Sequence, residues 1–259
     1  MADFLDTLAQ SAKATIDSGY YEKIIETETS RLSLKRAVLE AKYVPVITEI
    51  KSASPSAGPI RKNVKAWNLA ESMEKGGAVG ISVLTEPKHF KGCLRSLVEA
   101  RRAVKLPILM KDIILSPIQL EVASRLGANV ALLIVALFER GYCENTLTDM
   151  IATAHSKGLE VLLESHTEKE FRSAVKTHAD LVGINNRNLA TLKVDLDVTK
   201  NILEQNSAEG KIVVSESGVS TPADIRFLRL YGAKAFLVGS AVMQADNVEG
   251  KIKELVSAL

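Results

Sequence analysis

From Val44 onward the apolar and polar positions repeat one plan: a short β-branched apolar run, a turn, then an amphipathic stretch ending in Gly or Ala. The runs at 44–51, 79–85, 108–112, 130–137, 160–164, 181–186, 211–217 and 235–240 have the length of strands. Their near-continuous apolarity predicts a sheet covered on both faces. Helical periodicity lies between them, at 67–75, 94–104, 117–126, 146–157, 168–177, 198–205 and 222–231, with a last stretch at 248–258. Gly76, Gly127, Gly158 and Gly232 fall where those helices should end in a left-handed residue. Strands alternating with helices imply right-handed crossovers and a parallel sheet. Eight such units close most naturally into a (β/α)8 TIM barrel, with an open doubly wound sheet as the other option.

About the first 42 residues do not share this rhythm. Phe4, Leu5, Leu8, Ala12 and Ile16 recur at helical spacing until Gly19, and Leu32, Leu34, Ala37, Val38 and Ala41 suggest a second helix. The stretch 20–26 stays unassigned. No linker rich in Pro, Gly or Ser interrupts the units, so the expectation is one α/β domain over 1–259 carrying an N-terminal helical extension.

In a barrel of this kind, chemistry is built at the C-terminal ends of the strands. The run Pro107-Ile-Leu-Met-Lys-Asp112 delivers Lys111 to such an end. Glu49 and Lys51 share a face at the end of the first strand, Glu164 ends the fifth, Asn185 and Arg187 share a face at the sixth, and Glu216 ends the seventh. Each alone reads as a surface charge; together they describe a cluster at one barrel mouth. Ser215-Glu-Ser-Gly218 and Val238-Gly-Ser-Ala241 put small residues after the seventh and eighth strands, where backbone N–H groups of barrel loops hold phosphate. Ser54-Pro-Ser56 and Gly58 add hydroxyls and freedom after the first.

Charge and composition narrow the partners. With 33 Lys and Arg against 31 Asp and Glu, nothing global draws the chain to nucleic acid or an anionic membrane. Cys93 and Cys143 lack any ligand-like spacing, and His89, His155, His166 and His178 are scattered over helices and loops, so no metal is expected. No apolar run reaches the length of a membrane span and the start lacks a signal peptide's pattern, which points to the cytoplasm. Dinucleotide, Walker and HExxH motifs are absent.

Taken in order, Thr48-Glu-Ile-Lys-Ser-Ala-Ser-Pro-Ser56, Val83-Leu-Thr-Glu86 with Phe90, Pro107-Ile-Leu-Met-Lys-Asp112, Leu162-Leu-Glu-Ser-His166, Gly183-Ile-Asn-Asn-Arg-Asn-Leu189, Ser215-Glu-Ser-Gly218 and Phe236-Leu-Val-Gly-Ser240 closely resemble indole-3-glycerol phosphate synthase. The resemblance spans essentially the whole chain, including Asp3-Phe-Leu-Asp and Ser18-Gly-Tyr-Tyr21, similar to that family's helical extension over the barrel mouth. It implies a cofactor-independent conversion of 1-(o-carboxyphenylamino)-1-deoxyribulose 5-phosphate to indole-3-glycerol phosphate, with loss of carbon dioxide and water, in tryptophan biosynthesis. On the matching positions, Lys111 is implied as the general acid, Glu164 as the catalytic glutamate, and Lys51 with Glu49 as a second acid and its charge partner. Asn185, Arg187 and Glu216 match the substrate site, with Ser217 beside them, and Ser54, Gly218, Gly239 and Ser240 match the phosphate cradle. The division of dehydration among Lys51, Glu49 and Glu164 stays open.

Three positions depart from the family's pattern: Ile113 replaces a phenylalanine, Cys93 a serine, and Ser240 a glutamate. They bear on affinity rather than reaction type. The expected partner is a phosphorylated small molecule, with no cofactor, nucleic acid or membrane, and the chain is expected to be a monomer or weak homodimer. Two alternatives are weighed. Phosphoribosylanthranilate isomerase wants a Cys and an Asp near the first and fifth strands, which here end in Glu49, Lys51 and Glu164. A non-catalytic phosphate-binding barrel should have lost Lys111 or Glu164.

Overall fold

The computed structural model describes residues 3–22, 27, 31–54, 58–61 and 65–259. The side chain of Ser54 and all of Ser56 lie outside the described residues. Eight strands, β1 (Val46–Ile50), β2 (Gly80–Leu84), β3 (Ile108–Lys111), β4 (Val130–Ile134), β5 (Glu160–Ser165), β6 (Leu181–Asn185), β7 (Ile212–Glu216) and β8 (Ala235–Val238), close into a single barrel. Each is parallel to its sequence neighbours, and β8 returns to β1 with Val46 opposite Phe236 and Thr48 opposite Val238. That closure excludes the open sheet.

The strands carry apolar residues on both faces because both faces are covered. Ile81, Val83, Met110, Val182 and Val213 join the outer core beneath the helices. Ile47, Leu109, Leu132, Leu162, Leu181 and Leu237 fill the interior. Each fully buried side chain of this size contributes about 1.5–3 kcal/mol through the area it removes from water.

Element boundaries follow the pattern to within about three residues, the helix at 168–177 ending at Ala174 for instance, and three departures have a physical reason. Residues 135–137, read as the end of a strand, belong to a short helix, Val135–Glu139. Pairing between β4 and β5 stops at Ile134 opposite Glu164, and an unbroken apolar run carries no period that separates a strand from a buried helix. Ser240, likewise read as strand, begins the helix Ser240–Gln244 behind Gly239. After the helix Ala66–Lys75 the left-handed residue is Gly77, at φ 95°, rather than Gly76. Gly76 is glycine because of a close approach: a Cβ there would lie 2.7 Å from Cβ of Ile252.

The extension brackets the barrel. Helix α1 (Phe4–Asp17) opens on a capping box, with Asp6 N–H donating to Asp3 Oδ1 at 3.2 Å and Asp3 N–H to Asp6 Oδ2 at 2.8 Å. Arg140 Nη1 grips both carboxylates at 2.7 Å, and Leu5, Leu8 and Ala12 pack into the interior cluster from the mouth. Helix α2 (Leu34–Leu39) seals the opposite end. Glu160, at the start of β5, accepts the Leu34 N–H at 2.8 Å, and Leu34 occupies the space a side chain at Gly80 would need. Of these two helices, α1 is the one that covers the mouth. Among the described residues no helix is long and apolar enough to cross a membrane.

Candidate active site

The two-residue period of each strand delivers its last inward side chain to the same place. Glu49, Lys51, Lys111, Glu164, Asn185, Arg187, Ser217, Gly218, Gly239 and Ser240 all line one pocket at the C-terminal ends of the strands. Glu216 lies directly beneath it, fully buried, and reaches the site through Lys111 rather than by lining the pocket. The Ser54 side chain, expected in a phosphate cradle, lies outside the described residues.

Lys111 is the centre of the polar floor. Its Nζ donates to Glu216 Oε2 at 2.6 Å, and lies 3.6 Å from Glu164 Oε2 and 3.8 Å from Glu49 Oε2. Burial works against this ammonium, but Glu216, Glu164 and Glu49 outweigh it and hold its proton well above the ordinary lysine range. Glu49 pairs through its other oxygen with Lys51 Nζ at 2.7 Å. Burial opposes the charge on Glu49, yet Lys51 and Lys111 keep it below the usual carboxylate range. Glu164 is also buried; Lys111 and then His166 overcome that and bring it down to about 2. Glu216 behaves differently, because burial dominates the pull of Lys111 and raises it to about 7. Three acids share one ammonium, and the deepest of them gains the least.

Two glycines make this packing possible. A Cβ on Gly183 would stand 2.2 Å from Glu216 Oε1, and one on Gly239 would stand 2.4 Å from Glu49 Oε1. Gly239, expected as a phosphate contact, clears the space for the Glu49–Lys51 pair.

The rim is set by hydrogen bonds at the ends of β6 and β7. Asn185 Oδ1 accepts the Arg187 N–H at 3.0 Å, and Arg187 Nη1 donates to Leu192 O at 2.9 Å, which steadies the guanidinium. Asn186 ties the turn after β7 in place: its amide donates to Ser215 Oγ at 3.0 Å and to Ser217 O at 3.1 Å. That turn holds Ser217 at φ 64° and Gly218 at φ 87°, so it exposes backbone N–H groups at a cost in local strain for Ser217. The N-terminus of helix Ser240–Gln244 borders the same side of the pocket.

The opposite wall is apolar. Phe4, Leu5 and Leu8 of α1 meet Leu84, Phe90, Ile113, Leu132 and Ile134. Phe90 is presented by a loop folded around Glu86, whose carboxylate accepts the N–H groups of Lys88 at 2.9 Å, His89 at 2.7 Å and Phe90 at 2.9 Å. Behind the wall, Asp112 accepts from Thr85 Oγ1 at 2.5 Å, Tyr21 OH at 3.0 Å and the Ile113 N–H at 2.8 Å, and burial pushes it up to about 6. This anchors the end of the extension beside Lys111.

Sequence reasoning named Asp112 beside Lys111, Ile113, Phe90 and His166 but gave Asp112 and His166 no part in the chemistry, and it did not single out Gly183 or the rest of the apolar wall. Leu84, Leu132 and Ile134 carry no signal apart from any other core residue. Gly183 and His166 did carry one: inward parity with Asn185 and with Glu164. The histidines do not converge, His89 meeting Ser11 at 2.8 Å and His155 meeting Asp180 at 2.9 Å. Among the described residues no group of three or more His, Cys, Asp or Glu is arranged to hold a metal ion.

A site with a cationic acid, paired carboxylates, an apolar slot and an N–H-lined rim suits an aromatic substrate with a phosphate tail that reacts by proton transfer. Comparison with known proteins agrees. The family model for indole-3-glycerol phosphate synthase matches residues 6–255. The indole-3-glycerol phosphate synthase of Methanocaldococcus jannaschii is 40% identical over 239 residues, covering 90% of this chain and 86% of that protein. The enzyme of the same name from Polynucleobacter asymbioticus is 42% identical over 210 residues, covering 81% and 77%. Among solved structures, thiamine phosphate pyrophosphorylase from Pyrococcus furiosus superposes with a TM-score of 0.59 at 18% identity, covering 85% of this chain and 96% of that one. A 3-hexulose-6-phosphate synthase does so with a TM-score of 0.62 at 16% identity, covering 83% and 99%. At such identities the likeness speaks to the barrel alone.

Proposed function

The chain belongs to the indole-3-glycerol phosphate synthase family, and from that premise we propose how its pocket divides the work of the family's reaction. The activity is that of a carboxy-lyase of tryptophan biosynthesis acting on a phosphorylated small molecule. The isomerase and non-catalytic alternatives fall away with that match. The observation that carries the division is the placement of Lys111: a largely enclosed ammonium, held by three carboxylates, on the floor of a pocket with one apolar wall.

The aryl group of the substrate enters against Phe90, Ile113 and the leucines of α1, where burial compensates for its loss of water. The phosphate lies across the pocket on the N–H groups around Gly218, Gly239 and Ser240, and Ser54 completes that cradle. Arg187, with its planar fork already steadied by Leu192 O, takes the carboxylate, with Asn185 and Ser217 beside it. These contacts bring the ring carbon bearing the carboxylate up to the ketone carbon.

Ring closure forms the carbon–carbon bond and moves the carbonyl electron pair onto oxygen. Lys111 gives that oxygen its proton, the role of a general acid. Breaking the bond to the carboxylate releases carbon dioxide and returns its electron pair to the aromatic ring. Dehydration then removes the new hydroxyl, protonated as it leaves by Lys51, and a proton from the neighbouring methylene, taken by Glu164. Glu49, 2.7 Å from Lys51 Nζ, holds that ammonium in place for the step.

Charge explains why a carboxylate at about 2 can serve as the base. Lys111 holds Glu164 down; once its proton has gone to the substrate, that restraint disappears and the proton affinity of Glu164 rises when dehydration calls for it. Glu164 Oε2 also has no hydrogen-bond partner among the described residues, unlike the oxygens of Glu49 and Glu216 that face the lysines. A single domain spanning the chain, acting in the cytoplasm as a monomer or weak homodimer, goes with this reading. Shared packing of α1, α2 and the strands supports the first point, and two unpaired cysteines support the compartment.

Single-turnover quench with substrate labelled in its carboxylate tests the division. Lys111→Ala should release no label, whereas Glu164→Gln should release carbon dioxide but stall before indole appears. Equal blocks of both steps in Glu164→Gln would remove it from the dehydration step.

A further inference from the structure

Glu164 faces Lys111 and His166, and the second has no part in the steps above. Its Oε2 lies 3.6 Å from Lys111 Nζ, while its Oε1 lies 3.2 Å from Nε2 of His166. Nδ1 of that ring lies 3.7 Å from Oε2 of Glu170. Strand parity explains the first contact, since residues 164 and 166 point the same way at the end of β5. A helix cap explains the second: Thr167 caps the helix Glu168–Ala174, and Glu170 in its first turn accepts the His166 N–H at 2.8 Å.

The imidazole is 9% exposed and does not line the pocket, so substrate does not reach it. Both ring nitrogens and Glu164 Oε2 are buried without an aligned hydrogen bond among the described residues.

We propose that His166 is a positioning residue: as an imidazolium held between Glu164 and Glu170, it keeps Glu164 ionised and turned toward the substrate after Lys111 has given up its proton. The inference rests on the reading of Glu164 as the dehydration base. The groups facing Glu164 are Lys111 from β3, Glu49 from β1, Glu216 from β7, Asn185 from β6 and His166 itself. When Lys111 becomes neutral, Glu49 and Glu216 both oppose charge on Glu164. Among the described residues, the cation still within 4 Å of it is then His166. Without that cation, Glu164 takes a proton from water and arrives at dehydration already protonated. Burial opposes the charge on His166, but Glu164 and Glu170 prevail and raise it to about 9. Burial likewise opposes Glu170, which His166 holds below the usual carboxylate range.

The test is His166→Gln in the same labelled single turnover. Carbon dioxide release should stay within about twofold, while indole formation slows about 10- to 100-fold, part of the roughly 10²–10⁴ that a general base contributes. KM should hold, and the acid limb of kcat should move to higher pH, because losing a cation raises the proton affinity of Glu164. In a Glu164→Gln background the same change should add nothing. Equal slowing of both steps, an unmoved acid limb, or full multiplication of the two losses would overturn the role. Should the variant not fold, the ¹⁵N spectrum of the histidine rings in the unaltered enzyme decides. A His166 ring doubly protonated at pH 7 supports the role, and a neutral ring contradicts it. If Glu164→Gln itself forms indole normally, the base reading fails; if it stalls while His166→Gln does not, only the role of His166 fails.

Discussion

Replacing Lys111 by Met keeps most of the side-chain volume but leaves three carboxylates within 4 Å of a missing charge. A buried carboxylate stripped of its cation takes up a proton. For Glu164, whose ordinary value is 4.5, that costs about 3 kcal/mol at pH 7 and about 1.4 kcal/mol less for each pH unit below. In the intact protein Glu164 titrates at about 2, below its unfolded value of 4.5. Its charge therefore stabilises the fold above pH 4.5, and that contribution is lost as pH falls through 2. In Lys111→Met the sign reverses: Glu164 rises above 4.5, so its contribution is favourable below that value and lost as pH increases. The variant should lose about 3–5 kcal/mol at pH 7, typical of breaking a buried ion pair from one side. At pH 5 the loss should be about 2–3 kcal/mol smaller. Over most of the usual total of about 5–15 kcal/mol that loss leaves the barrel folded. Urea unfolding followed by circular dichroism at both pH values measures the difference. Equal destabilisation at pH 7 and pH 5 would refute the ion cluster, because uncharged packing loss has no such dependence.

Gly183→Ala should push Glu216 off Lys111, since the new methyl would stand 2.2 Å from its Oε1; thermal unfolding should register a loss of about 1–3 kcal/mol, and turnover should fall with KM little changed. Arg187→Ala should raise KM at least tenfold with a smaller change in kcat, as expected for a group that binds the carboxylate through ground and transition state alike; an unchanged KM in steady-state assays would count against it. Asp112→Asn addresses stability alone. Burial raises Asp112 to about 6 from 3.8, so its stabilising contribution is present below pH 3.8 and is lost as pH rises to about 6. The variant should lack that part of the slope, about 2–3 kcal/mol between those limits, and an identical slope in urea titrations would contradict the assignment.

What the sequence made legible follows from what each position had to satisfy. The strands were readable because parallel sheets covered on both faces demand unbroken apolar runs, and Glu49, Lys111, Glu164 and Asn185 stood out as interruptions of those runs. The same rule hid the helix Val135–Glu139, where apolar residues continue past the strand without a period. Glu216 was legible as a site residue but not as a buried support for Lys111, since only the closed barrel brings β7 across from β3. The apolar wall was illegible for a simpler reason: Leu84, Leu132 and Ile134 look like core until α1 is seen to leave a slot above them. Gly239 seemed explained by phosphate alone, and its second reason, room for Glu49, exists only in three dimensions.

The most direct test of the central claim adds purified protein and a metal chelator to 1-(o-carboxyphenylamino)-1-deoxyribulose 5-phosphate and follows indole fluorescence. Emission should grow to completion with the unaltered protein and be absent, at least a thousandfold slower, with Lys111→Ala. Indole formation at a near-normal rate in that variant would show that the proton for ring closure comes from elsewhere.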